Sequence, residues 1–155
     1  METTENKTQI KKRILTQCML KQQSLIDDFK SRLKELKLLQ DAETEEISSG
    51  NRRAFSQSEY NSIYQALDFA EAEMGILVFL NSKDNSLHET ADLGAVIVTN
   101  RATFFISVSI EQFSADGHPF VGISTQSPLF LAMRGKRIGD YFTYEGTSYY
   151  IEDIF

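Results

Sequence analysis

Phe55-Ser56-Gln57-Ser58-Glu59-Tyr60-Asn61-Ser62-Ile63-Tyr64-Gln65-Ala66-Leu67-Asp68-Phe69-Ala70-Glu71-Ala72-Glu73-Met74-Gly75-Ile76-Leu77 is the stretch that decides the fold. Ser56 to Glu59 spells a capping box, in which the serine hydroxyl and the glutamate carboxylate each satisfy a backbone N–H left over at a helix start. Phe55 before the cap and Tyr60 after it fit a hydrophobic staple. Tyr60, Ile63, Leu67, Ala70, Met74 and Leu77 then recur in alternating steps of three and four, the spacing of a coiled-coil seam.

Upstream, Ser48-Ser49-Gly50-Asn51 reads as a turn. Before it, Thr8 to about Glu43 holds no Gly or Pro and is rich in helix formers, which predicts a helix roughly 50 Å long at about 1.5 Å per residue. Ile14, Cys18, Leu25, Phe29, Leu33, Leu36 and Leu39 form its apolar stripe, and the opposite Lys/Gln/Glu-rich face is expected in solvent. Two seamed helices joined by a short turn are expected to pack as an antiparallel hairpin within a monomer. Pairing between chains, as in a coiled-coil assembly protein, is the competing arrangement.

Downstream, Asn81 to Glu89 is a polar linker, and the period then becomes strand-like. Ala95–Thr99, Thr103–Ile110 and Phe120–Thr125 read as strands, with Asp116-Gly117-His118-Pro119 as a turn. Ser127-Pro128, Leu129–Arg134 and Gly135 spell a short helix with cap, N-terminal proline and closing glycine. Asp140–Glu145, Gly146 and Thr147–Phe155 form a closing hairpin. The expected class is α+β, with a helical hairpin over residues 1–82 (tip about 41–55) and a small β-sheet domain with one short helix over 83–155.

Composition narrows the function. The chain has 155 residues and a net charge of −6. Residues 1–40 carry nine cations and five acids, net +4, and the remainder seven cations and seventeen acids, net −10. An excess of acid argues against autonomous binding of duplex DNA, which depends on phosphate neutralisation. One cysteine, Cys18, allows no internal disulfide, so a reducing, cytoplasmic setting is expected. No apolar run nears the about 20 residues that cross a bilayer. There is no glycine-rich phosphate loop or catalytic triad, and His88 and His118 have no second ligand at metal spacing.

Ile123-Ser124-Thr125-Gln126-Ser127-Pro128-Leu129, followed by Ala132, Gly135-Lys136 and Gly139-Asp140, resembles the C-terminal domain of the Gre family of bacterial transcription elongation (transcript-cleavage) factors. The resemblance runs from about Leu87 to Phe155 and is architectural over the hairpin. It implies an FKBP-like domain that docks on the rim of RNA polymerase's secondary channel, with Gln126, Ser127 and Pro128 contributing, and a hairpin inserted toward the active centre. It further implies a cytoplasmic transcription regulator that touches nascent RNA only indirectly, with DNA binding as a family-level association. Such a factor has no catalytic site of its own. In the family, tip carboxylates help the polymerase hold a second Mg²⁺ and cleave its own backtracked RNA.

The tip departs from that pattern. Family cleavage factors carry Gly-Asp-x-x-Glu-Asn ahead of Glu-Tyr. Anchoring on Glu59-Tyr60 puts Arg52-Arg53 in place of Gly-Asp and Ser56 in place of the tip Glu. Asp41, Glu43, Glu45 and Glu46 are the nearby acids, and Glu45 with Glu46 are the candidates to share the polymerase's Mg²⁺. Arg52 and Arg53 could instead contact phosphates, as suits an occluding factor. An exposed helix end is the plain reading of the acids, although acids there oppose the helix dipole.

Overall fold

A computed structural model describes residues 4–45, 55–83, 87–115 and 117–155, with side chains from residue 6 and without those of 43–45. Two long helices, α1 (Thr4–Glu45) and α2 (Gln57–Ser82), precede six strands and one short helix. The strands are β1 (Val96–Thr99), β2 (Thr103–Ser107), β3 (Ile110–Ala115), β4 (His118–Ser124), β5 (Tyr141–Tyr144) and β6 (Thr147–Ile154), with α3 (Pro128–Met133) between β4 and β5. The chain is α+β. It divides into two compact units, residues 21–74 and the combination of 1–20 with 75–155.

In the unit of residues 21–74, α2 starts as its sequence dictates. The Ser56 hydroxyl accepts the Glu59 backbone N–H at 3.2 Å, and the Phe55 and Tyr60 rings lie 6.1 Å apart. Ile63, Leu67 and Ala70 are buried, and Ile26 with the flanks of Phe29, Leu33 and Met74 packs against Leu67 and Ala70. Gln22 reaches Ala70 and Glu73, while Leu36 lies by Ile63, so the two helices run antiparallel here.

The stripe on α1 differs from its sequence reading. Leu25 is 40% exposed, and its place is taken by Gln22 (3% exposed) and Ile26 (4%). The helical period continues from Cys18 through residues 22, 26, 29, 33 and 36, and a glutamine in that row hid it. Gln22 is tolerated because Nε2 donates to the Ala70 carbonyl at 2.9 Å and to the Glu73 carboxylate at 3.3 Å. Buried polar groups persist where they are hydrogen-bonded. The Lys30–Glu71 pair, 3.9 Å apart and exposed on both sides, adds little.

In the other unit the six strands form one sheet in the order β3-β4-β2-β1-β6-β5, antiparallel except for the parallel β2–β4 pair. Its core holds Ile97, Ile106, Met133 and Ile151, all fully buried, with Phe104, Phe130 and Phe142. The stretch read as one strand over 103–110 is two. β2 ends at Ser107 and β3 begins at Ile110, because the chain turns around Val108-Ser109 to place Val108 against Gly122. A Cβ on Gly122 would lie 2.6 Å from the Val108 carbonyl oxygen, so only glycine fits that crossing. His118 and Pro119, read as turn, open β4, with Ala115 paired to His118. The β5–β6 turn forms at Glu145-Gly146, both with positive φ (50° and 76°), the geometry that suits a two-residue hairpin. Phe142 and Tyr149 stack across it at 4.8 Å.

Candidate functional site

The Ser-Pro segment lies where β4 ends. The Ser127 N–H donates to the Ser124 carbonyl at 3.0 Å, and the Ser124 hydroxyl accepts the Gln126 N–H at 3.0 Å, closing a tight turn. The Ser127 hydroxyl then accepts the Phe130 N–H at 3.1 Å as the cap of α3, with Pro128 first in the helix. This turn holds Gln126 and Pro128 exposed while Phe130 and Met133 anchor the helix in the core.

The rest of the motif has local work too. Gly135 (φ 74°) ends the helix and donates to the Ala91 carbonyl at 3.0 Å, while Ala91 donates to the Lys136 carbonyl at 2.9 Å. Gly139 turns at φ 90°, and the Asp140 carboxylate accepts the Arg137 N–H at 2.8 Å. Asp140 is then tied through its backbone to Ile151. Gly135 and Gly139 thus fix two bends after α3, and Leu131, Ile138 and Tyr141 in the stretch that follows Pro128 are exposed.

Of the tip candidates, Asp41 lies exposed on α1, and Glu43 and Glu45 belong to the same helix with side chains outside the described set. Glu46, Arg52 and Arg53 fall outside the described residues. Among the described residues, no group of three or more His, Cys, Asp or Glu is gathered as a metal centre.

A second constellation was missed by sequence reasoning. In the unit formed by residues 1–20 and 75–155, Lys11, Lys12, Lys83 and His88 line one cavity of about 390 Å³. Lys11 is not on a solvated face: burial pulls its ammonium down to a pKa of about 8. His88 is lowered as well, first by burial and then by Lys11, with Asp92 acting the other way. Lys7 also turns inward, meeting Asp153 at 3.1 Å and the Phe155 ring at 5.6 Å. The signal available in the sequence was position: Lys7 and Lys11 lie one turn apart, and Leu15 and Cys18 continue their row into the core.

Fold and site together define an α+β chain with a paired-helix segment and a six-stranded sheet domain carrying a capped Ser-Pro turn. Fold comparison finds the crystal structure of the GreA factor homolog 1 (Gfh1) of Thermus thermophilus, 20% identical, with a TM-score of 0.34 over 88% of this chain and 94% of that one. Gfh1 of Thermus aquaticus is similar at 19% identity and a TM-score of 0.33, over 86% of this chain and 91% of that one. A further structure of "the transcription factor Gfh1" is 20% identical, with a TM-score of 0.33 over 88% and 92%. No family model matches the chain, and no curated protein does. At such TM-scores these likenesses have no weight as functional evidence, and the chain's own residues carry the functional reading.

Proposed function

We propose that the chain is a Gre-like regulator of transcription elongation, acting as a monomer on RNA polymerase. It docks through the sheet domain and sends its helical pair into the secondary channel. The observation that supports this most is the Ser127-Pro128 turn, which holds Gln126 and Pro128 exposed in the order Ser-Pro, Gly-Lys, Gly-Asp behind two seamed helices. The turn is stabilised by its own hydrogen bonds, so its geometry is preset before any partner arrives, which lowers the ordering cost of association.

The chain itself is not an enzyme on this reading. It alters transcript cleavage or access to the polymerase's active centre, and any Mg²⁺ is the polymerase's. Arg52-Arg53 in place of the family's Gly-Asp favours occlusion over cleavage, because a guanidinium holds phosphate oxygens rather than a metal ion.

Two assays test this. Capture of core RNA polymerase by the full chain should occur at micromolar protein and fail with Ser127→Arg plus Pro128→Ala. Absence of capture, or capture indifferent to the variant, would count against docking. In a stalled elongation complex, the occluding reading predicts slowed transcription without RNA shortening. Shortening that disappears in the Asp41/Glu43/Glu45/Glu46 quadruple alanine variant would instead assign cleavage.

A further inference from the structure

Three lysines and one of the two histidines line a single cavity in a chain whose net charge is −6. No carboxylate lines it among the described residues. Its remaining wall is mixed: Thr16 and Asn81 are polar, while Leu15, Phe79, Leu80, Leu93 and Phe105 give it an apolar side. A volume of about 390 Å³ lies within the range of small-molecule sites, and an apolar side facing cationic and polar groups suits a ligand with both characters.

The cavity floor is fixed by backbone geometry. Gly94 sits at φ 89° and donates to the Ile106 carbonyl at 2.7 Å, locking it to β2. A Cβ at Gly94 would stand 3.2 Å from Leu80 Cδ2 and 3.3 Å from His88 Nε2. Glycine therefore lets the histidine ring and the leucine close onto the floor. The Lys83 ammonium lies 4.7 Å from the Phe79 ring centre, so cation and aromatic face are already side by side.

We propose that this cavity binds a small organic anion with an apolar body, its charged head held by Lys11, Lys83 and His88 and its body against Phe79 and Phe105. Cations gathered around one cavity raise the positive potential inside it, and an anionic head is what that potential attracts. Lysines act as point charges, which suits a phosphoryl or carboxylate head without demanding the paired geometry of an arginine fork. Anion binding here is independent of polymerase binding, and either can hold without the other.

An NMR titration of the isotope-labelled full chain with phenyl phosphate tests it. Saturable shifts are expected at the amides of Lys12, Leu80 and Gly94. Inorganic phosphate and phenol, which carry only the head or only the body, should each bind about ten-fold more weakly or worse. Benzoate is the parallel arm: tighter binding of phenyl phosphate assigns a phosphoryl head, and tighter binding of benzoate a carboxylate. Lys11→Met with Lys83→Met should weaken binding about ten-fold. Thr16→Trp, which fills the cavity and removes no charge, should abolish it and decides the matter if the lysine variant does not fold. Failure to saturate with either anion, shifts confined elsewhere, binding untouched by Thr16→Trp, or inorganic phosphate binding as tightly as phenyl phosphate would each overturn the proposal.

Discussion

The sheet domain and the helical pair of residues 21–74 are stabilised in different ways. The sheet core is apolar and deep, with Ile97, Ile106, Met133 and Ile151 fully buried and three phenylalanines around them. The helical pair is one side chain thick, and at Gln22 and Glu73 its seam is polar. A deep apolar core gains stability from area removed from water. A thin seam with a buried amide gains less and is specific about register, because sliding the helices would leave Gln22 and Glu73 without their bonds. The sheet domain is therefore expected to hold its shape when the helical pair frays.

The largest blow to that contrast should come from Ile151→Ala, which opens a cavity in the sheet core and costs about 3 kcal/mol by denaturant unfolding. Gly122→Ala should follow, at about 2 kcal/mol, since its Cβ would clash with the Val108 carbonyl. Gln22→Ala is expected to cost about 1.5 kcal/mol, read as faster amide exchange around Ile26 and Ala70 with the sheet amides unchanged. Equal acceleration in both units would break the comparison. Replacing Gln22 and Glu73 together by leucine should raise stability while loosening register. Ser127→Ala should cost about 1 kcal/mol through loss of the α3 cap.

At Lys11 the expected effect depends on pH. Its folded pKa of about 8 lies below the ordinary 10.5, so between those values the unfolded chain binds more protons and stability rises with pH. The penalty is in full force below about pH 8 and gone above about 10.5. Lys11→Met should thus raise the melting temperature at pH 7, with the gain over wild type vanishing toward pH 10.5. A gain constant across that range would mean the effect is packing alone.

Much of this was legible because local chemistry and tertiary packing agree. The Ser56 cap, the seam from Tyr60 to Leu77, the Ser127-Pro128 helix start and the Glu145-Gly146 hairpin each announce themselves through residues whose side chains or φ preference have one obvious use. What was hidden depends on distant partners. Gln22 reads as a surface residue until Ala70 and Glu73 are opposite it. Lys11 reads as solvated until Phe105 and His88 close around the cavity beside it. β3 was lost because Glu111 and Gln112 interrupt its apolar pattern at a bulge between Ile110 and Phe113. The Ser-Pro turn was legible as a cap, whereas its exposure emerged only from the fold around it.

Strand β1 sits between two neighbours that arrive at very different times. Ile97 is joined to Phe104, seven positions along the chain, and to Ile154, fifty-seven positions along. As the polypeptide leaves the ribosome, the helices and the β1–β2 hairpin form from nearby residues, while β1 keeps one side uncovered until β6 has been made. Such an uncovered, Val/Ile-rich edge invites pairing with other nascent chains. Translation that stops before Thr147 should therefore yield aggregates rather than a merely weakened protein.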